Sequence, residues 1–418
     1  MTPSEDFESH LDWIRGQFPA LQQEVSGRPV IYLDSPGGTQ VPQRVMTAVG
    51  EYLARSNSNT HGGFPTSRRT DATIAEARQA MADLLGCEAD EIVFGPNMTT
   101  LTFAFSRAMG RELRRGDEIV VTCLDHDANV SPWQALAEQG AVIRMVDIDP
   151  RDCTLDMTDL VRQMNDRTRV VAVCYASNAV GTINNLAEIV RLSHALGAVV
   201  FVDAVHYAPH GPIDVRALDC DFLACSPYKF FAPHIGVLYG KRAHLRHLRP
   251  YKVRPATEES PERWETGTQN HEGLAGVTAA IEYLAELGRR LNPAETERRS
   301  ALLSAMEAIR RYERRLAEPL IKGLIAIPGL TIYGLTDRHR LEWRTPTVAL
   351  RLVGHTPQQL ASDLGQLGMF TWAGNYYALN LTQRLGVEAS GGMLRLGLVH
   401  YNTENEISRV LEALRRLA

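Results

Sequence analysis

The sequence predicts an α/β protein: a large domain on a mostly parallel central sheet, followed by a smaller α+β domain. Three observations predict it. Strand-sized apolar runs alternate with amphipathic stretches through the first two thirds of the chain; this alternation implies βαβ crossovers and a sheet covered on both faces. Beyond about residue 255 the alternation gives way to long helical patterns, then to short strands mixed with helices. And 418 residues exceed what one hydrophobic core ordinarily organises, so two domains are expected.

In chain order, the expected strands are "VIYLD" (30–34), "EIVFG" (91–95), "DEIVVT" (117–122), "VIRMVDI" (142–148), "RVVAVCYA" (169–176), "AVVFVDA" (198–204), "DFLACS" (221–226) and "GVLYG" (236–240). Each is short, apolar and rich in β-branched or aromatic residues. Between them, "TIAEARQAMADLLG" (73–86) and "LAEIVRLSHALG" (186–197) have helical periodicity and end on a glycine suited to a C-cap. "HEGLAGVTAAIEYLAELG" (271–288), rich in small residues, reads as a helix packed on the sheet. "PAETERRSALLSAMEAIRRYERRLAEPLIKGL" (293–324) reads as a long helix leading into the second domain. There "LTIYG" (330–334), "TVALRLVG" (347–354) and "MLRLGLV" (393–399) read as strands, with helices starting near Thr356 and Thr403. The expected division is a large domain over 26–290 and a small one over 291–418, which the first 25 residues join.

A net charge of −5 argues against a nucleic-acid partner. The basic stretches "RHLRPYKVR" (246–254) and "RRYERRL" (310–316) lie among acidic residues; they read as solvated faces, anion patches being the alternative. The acidic N-terminus lacks an apolar signal-peptide core, and no apolar run reaches the ~20 residues of a membrane helix. Six cysteines, at 87, 123, 153, 174, 220 and 225, form no C-x-x-C pair. That pattern points to reduced thiols, a cytoplasmic protein and no metal site.

Ligands of open parallel sheets sit beyond the carboxyl ends of the strands, so polar residues there mark the candidate site. "EIVFGPNMTTLTFAF" runs through a Gly-Pro-Asn turn into a helix starting near Met98, whose free amides suit a phosphate. "VVTCLDHDANVSPW" places His126 beyond one strand, and "VCYASNAVGT" places Asn178 beyond another. "VVFVDAVHYAPH" buries Asp203 at a strand end with His206 three residues on; "ACSPYKF" supplies Ser226 and Lys229. Singly, a strand-end Asp is ordinarily a cap and a lone His a packing residue. Jointly they ask for more. A buried Lys costs several kcal/mol unless neutralised or paired. An aldehyde neutralises it, and a buried Asp needs a cation such as a protonated pyridine nitrogen. Pyridoxal 5'-phosphate presents both, with a phosphate for amide and hydroxyl donors. A structural Asp203–Lys229 ion pair is the alternative.

The stretches "VDAVHYAPH" (202–210), "DCDFLACSPYKFFAPHIGVLYG" (219–240), "LDHDANVSPW" (124–133) and "SNAVGT" (177–182) resemble the class V aminotransferase family of fold-type I pyridoxal phosphate enzymes. Within it they are most similar to the cysteine desulfurase/selenocysteine lyase type, which includes isopenicillin-N-epimerase-like proteins. The likeness runs from "YLDSPGGTQVPQRV" (32–45) to "LGLVHYNTENEI" (396–407). It implies that Lys229 is the Schiff-base lysine and later the base that moves the substrate α-proton. It implies Asp203 at the pyridinium nitrogen, His126 on the ring face and Asn178 near cofactor and substrate carboxylate. His206 stands where desulfurases carry a Gln contacting the ring hydroxyl, and Tyr228 where a His precedes the lysine. Ser226, Met98 and Thr99 hold the phosphate. Thr268 reaches the phosphate of the neighbouring subunit, so a homodimer with shared active sites is expected. Arg395 matches the clamp on the substrate α-carboxylate, a strand-edge salt bridge being the plainer reading. His61 and Tyr377 complete the implied substrate contacts.

One motif departs from the family. Desulfurases of this type carry a nucleophilic Cys in a context resembling "R-T-G-x-x-C-A". The corresponding stretch here is "TWAGNYYALNL" (371–381), which places Tyr377 at the nucleophile and Trp372 at the Arg; no cysteine follows Cys225. A persulfide relay needs an accessible thiolate on a mobile segment. Cys174 and Cys225 sit in strand patterns, and Cys123 at a strand end is the remaining candidate substitute. The expected activity is therefore C–S (or C–Se) cleavage of an amino acid by α-proton abstraction and β-elimination, without an enzyme persulfide. A class V aminotransferase, an amino-acid epimerase and a non-catalytic sulfur-transfer scaffold are the alternatives. Tyr376, Tyr377 and Trp372 suggest either a bulkier, more apolar side-chain pocket or packing at the dimer interface.

Overall fold

The computed structural model describes residues 7–418. Seven strands form the central sheet: β1 (Ile92–Gly95), β2 (Glu118–Thr122), β3 (Val142–Val146), β4 (Thr168–Cys174), β5 (Val199–Asp203), β6 (Phe222–Cys225) and β7 (Gly236–Gly240). Their order is β3-β2-β4-β5-β6-β7-β1. β7 runs antiparallel to both neighbours and every other pair is parallel. Most of these strands are buried along their whole length, which is why their sequences read as continuous apolar runs. Parallel pairing brings the carboxyl ends of β1, β2, β4, β5 and β6 to one edge, where the residues singled out above sit.

The "VIYLD" run is not a strand of this sheet. Only Ile31–Tyr32 is extended, paired in parallel with Met369–Phe370. Leu33 N–H donates to Phe370 O at 2.9 Å, and Gly397 N–H donates to Leu33 O at 2.7 Å. The run is turned at Ser35-Pro36-Gly37, immediately after it. It stitches onto the second sheet instead and delivers residues 34–37 to the edge where the β-strand ends meet.

That second sheet contains β8 (Leu330–Tyr333), β9 (Thr347–Leu352), β10 (Trp372–Gly374) and β11 (Met393–Gly397), in the order β8-β9-β11-β10 and antiparallel throughout. β10 was not among the expected strands: its three residues are too few to show a period. Trp372 pairs across the sheet with Arg395.

Helix starts follow their signals. α1 (Gln43–Arg55) precedes α2 (Pro65–Leu85), which has proline in its first turn and Gly86 left-handed at its end. α2 begins eight residues before the expected Thr73, because its polar first turns hide the apolar period. α3 (Met98–Gly110) is capped by Asn97, whose side chain accepts from Thr100 N–H at 2.8 Å. α4 (Leu186–His194) stops before Gly197, the last residues forming turns. α5 (His271–Leu291) is largely buried and packs against α1, α2 and α6 (Arg298–Ile325). The small residues of α5 serve these helix contacts: a Cβ on Gly288 would collide with the Ala301 carbonyl of α6. Among the C-terminal helices, α7 (Pro357–Gln366) and α8 (Glu404–Leu417) start at Thr356 and Thr403 as expected, each on a capping box. The N-terminal segment is pinned to this end, Phe7 stacking on Tyr312 and Arg15 donating to Tyr401 O. Among the described residues no helix is long and apolar enough to cross a membrane, and no group of three His, Cys, Asp or Glu is placed to hold a metal.

Candidate active site

The strand ends, the 34–37 turn and β10–β11 enclose a cavity of about 430 Å³. Its floor carries the titratable groups. Lys229 ends a short 3-10 turn after β6 and is 9% exposed. Its Nζ donates to the Pro36 carbonyl at 2.5 Å and lies 4.6 Å over the Tyr228 ring. Burial, aided by the Arg395 charge, pushes its pKa down to about 7, so near neutral pH much of it is free amine. Asp203, the last residue of β5, is buried and accepts from Val205 N–H at 2.9 Å. Burial raises its pKa to about 6. Among the described residues neither Lys229 nor Asp203 forms an ion pair; the structural-pair alternative finds no support.

Four other elements complete the floor. The helix start at Met98 and Thr99 and the Ser226 side of β6 line the cavity, and the first-turn amides of α3 lack intrahelical acceptors. Gly236 lets β7 pass this turn, since a Cβ there would strike the Asn97 backbone. His126 follows β2 on a turn fixed from behind by buried Asp125, which accepts from Asn129 Nδ2 at 2.7 Å and from the Thr122 hydroxyl. The His126 Nδ1 accepts from Ala128 N–H at 3.0 Å; burial depresses its pKa to about 4, leaving a neutral ring. His206 is buried beside Thr345, Nε2 to Oγ1 3.0 Å, and burial holds it neutral too. Tyr228 stacks on His234 at 4.7 Å.

Arg395 of β11 enters from the second sheet. Its guanidinium donates to Asn178 O at 2.8 Å and lies 4.2 Å over the Tyr376 ring, with no carboxylate salt bridge among the described residues. Burial lowers its pKa to about 10, and it remains a cation. Among the described residues, Arg395 Nε and Asn178 Oδ1 have no hydrogen-bond partner. The Asn178 side chain donates to Tyr376 O at 2.8 Å.

The turn after β10 forms the mouth. Tyr376 and Tyr377 both adopt left-handed φ, +55° and +60°, at a cost of roughly 1–2 kcal/mol each for residues with a Cβ. The Tyr377 ring lies 5.3 Å from His126 at 22° and is 71% exposed. The structure thus brings Met98, Thr99, His126, Asn178, Asp203, His206, Ser226, Tyr228, Lys229, Tyr377 and Arg395 to one cavity. It does not bring His61 or Thr268 there. His61 is exposed near Asp71 at the start of α2, and Thr268 lies on an exposed loop.

Residues that sequence reasoning missed are Asp34, Pro36, Asn375 and Thr345. Asp34 has a buried Oδ1 without a partner among the described residues, and burial raises its pKa to about 6 against the pull of Arg395 and Lys229. The acid followed by Ser-Pro-Gly-Gly was the available signal. Of the cysteines near the site, burial pushes the Cys123 thiol up to about 12, and Cys174, which lines the floor, is raised well above the ordinary range.

The arrangement fits pyridoxal 5'-phosphate: a buried carboxylate without a cation, a buried amine of low pKa and a helix N-terminus open on the same cavity. A family model described as aminotransferase class-V matches residues 31–410. Curated relatives include cysteine desulfurases of Pectobacterium atrosepticum, 32% identical over 97% of this chain and 98% of that one, and of Dickeya dadantii, 33% identical over 97% and 96%. Similar solved structures are the apo cysteine desulfurase of Thermococcus onnurineus, with TM-score 0.87, 27% identity and 97% of each chain covered, and the Escherichia coli cysteine desulfurase CsdA in an S-sulfonic acid form, with TM-score 0.82, 29% identity and 97% and 98% covered.

Proposed function

Because the chain belongs to the aminotransferase class-V family, and is a fold-type I pyridoxal-phosphate-dependent enzyme like the cysteine desulfurases, we propose that it cleaves the C–S (or C–Se) bond of an amino acid by β-elimination, without an enzyme persulfide. The observation that carries this reading is Tyr377, a phenol where the family pattern places a thiol, above a floor that is otherwise complete.

When bound, pyridoxal phosphate supplies the electron sink that makes an α-proton acidic. The chain supplies the rest. The amides of Met98 and Thr99 and the Ser226 hydroxyl hold a phosphate. Asp203 would pair with the ring nitrogen of a bound cofactor and keep it protonated. Neutral His126 would offer a flat face without competing charge to a bound cofactor ring, which His206 and Tyr228 would border. Arg395 has donors to spare for a substrate carboxylate, a bidentate match, and Asn178 holds it in place. Lys229, with a pKa near 7, takes the α-proton from Cα as a neutral amine. The leaving group then departs from Cβ with its bonding electrons. For a sulfur substrate the balance is RS–CH2–CH(NH3+)–COO− plus water giving RSH, pyruvate and ammonium.

We also propose a homodimer with shared sites. Thr268 is exposed and away from its own cavity, as a residue serving a partner needs to be, and Phe64, Tyr251 and Val253 are exposed apolar side chains. Incubating the yellow holoprotein with a panel of amino acids, while following its visible band and the products, tests the activity. Pyruvate with a thiol or sulfide supports the lyase; a D-epimer or a keto-acid/amino-acid pair points to the epimerase or aminotransferase instead. A colourless protein that no amino acid perturbs contradicts the enzyme reading.

A further inference from the structure

We infer that Tyr377 and Trp372 form a side-chain subsite that selects cysteine substituted on sulfur by a neutral, flat apolar group over free cysteine. The inference rests on the lyase reading above and names its substrate class.

Position comes first. Trp372 is the cross-strand partner of Arg395, and Tyr376 lies under its guanidinium. A substrate held by its carboxylate at Arg395 therefore has the 372–377 turn within reach of its side chain. The backbone of that turn is braced from several sides. Tyr377 O accepts from Asp127 N–H at 2.7 Å. Tyr377 N–H donates to Asn375 Oδ1 at 3.0 Å, and Asn375 Nδ2 donates to Glu388 Oε1 at 3.0 Å. The Tyr376 hydroxyl donates to Met393 O. These bonds hold two successive aromatic residues in the left-handed region, a conformation that bulky side chains adopt only when the surroundings impose it.

The Tyr377 and Trp372 rings on this turn are more than half open. Tyr377 has one face toward His126 and is 71% exposed; Trp372 is 54% exposed. A Cβ on Gly37 would lie 2.8 Å from the Trp372 indole nitrogen, so glycine is what lets the indole lie against the 34–37 turn. Large aromatic surface left open at a cavity mouth marks a contact site.

Charge sets the chemistry. Besides phenols and the Cys174 thiol, the cavity's ionisable lining groups are His126, Asp203, His206, Lys229 and Arg395, all on the floor or the carboxylate clamp. Along Pro36, Gly37 and Trp372–Tyr377 the lining side chains are aliphatic, aromatic or amide. A charged substituent on sulfur would find no counterion there, and a bare thiol would leave both aromatic faces wet. A flat apolar group fills the mouth and stacks. The expelled thiol, RSH, leaves with its proton into solvent, and no enzyme thiol is needed.

The test measures pyruvate release by the holoenzyme from S-benzyl-, S-methyl- and S-carboxymethyl-L-cysteine and from L-cysteine. The expected kcat/KM for S-benzylcysteine exceeds that for cysteine at least tenfold, mostly through KM, and S-carboxymethylcysteine is no better than S-methylcysteine. Tyr377→Ala is expected to reduce the benzyl-to-cysteine ratio at least tenfold, and Tyr377→Phe to keep it. Retention of the visible cofactor band identifies folded variants, and Trp372→Leu repeats the ratio measurement on the second ring. An unchanged ratio in both Tyr377→Ala and Trp372→Leu, or cysteine preferred by the parent protein, overturns the subsite and leaves the lyase standing. Absence of pyruvate from every sulfur amino acid overturns both.

Discussion

Replacing Lys229 by methionine keeps the volume of the side chain and removes its charge. The buried amine of the cofactor-free protein has a pKa near 7, against an ordinary 10.5. The folded state therefore disfavours the ammonium form by about 3.5 units, on the order of 5 kcal/mol at 1.36 kcal/mol per unit. The sign follows from linkage. Between pH 7 and 10.5 the unfolded chain binds this proton and the folded chain does not, so the wild-type cofactor-free protein gains stability as pH rises across that window. Below pH 7 both states carry the proton and the penalty is constant; above 10.5 neither does. Lys229→Met lacks this dependence, although it loses the bond to Pro36 O, about 1–3 kcal/mol at every pH. The assay is urea unfolding of both cofactor-free proteins at matched pH values. The stability advantage of the variant over wild type is expected to fall by roughly 4 kcal/mol from pH 7 to pH 10.5, at up to about 1.4 kcal/mol per unit. Parallel pH profiles would refute the claim that this amine is buried without a counterion.

Other substitutions probe the rest of the site. Tyr377→Cys places a thiol at the exposed mouth; with L-cysteine it is expected to acquire the mass of one sulfur atom and to release alanine, and intact mass showing no added sulfur would contradict the alignment of this turn. Arg395→Gln removes a charge-assisted clamp worth about 2–3 kcal/mol, so kcat/KM is expected to fall roughly 30- to 150-fold while the visible cofactor band persists. Asp203→Asn withdraws the carboxylate partner of the ring nitrogen; turnover is expected to drop on the order of 10²–10³-fold with cofactor still bound, and wild-type turnover would contradict its role.

The central sheet was legible because its strands are buried on both faces and announce themselves as apolar runs. "VIYLD" looked the same but belongs beside the second sheet, since a five-residue apolar run carries no information about its partner. The start of α2 was hidden because its first turns are exposed and polar. Lys229, Asp203, His126 and Asn178 could be found because polar residues at strand ends are conspicuous against apolar neighbours. Thr345 could not, because its approach to the floor depends on how the β9 edge docks: it meets His206 across 139 residues of sequence. Asp34 carried a signal in the acid before Ser-Pro-Gly-Gly, but its place at the floor depends on how the N-terminal segment docks. The missing thiol was legible as an absence at Tyr377. The left-handed turn that locks Tyr376 and Tyr377 was not, since nothing in two adjacent tyrosines signals positive φ.

Removing sulfur from cysteine as a persulfide leaves alanine; expelling it as a thiol or sulfide leaves pyruvate and ammonium. The measurement that bears most directly on the proposed chemistry is the ratio of these two carbon products from a sulfur amino acid turned over by the wild-type holoenzyme, with intact mass recorded on the same sample. Pyruvate as the carbon product, with no sulfur added to the protein, is the predicted result. Alanine in step with protein-bound sulfur would contradict the account, and would mean that one of the buried thiols reaches the substrate after all.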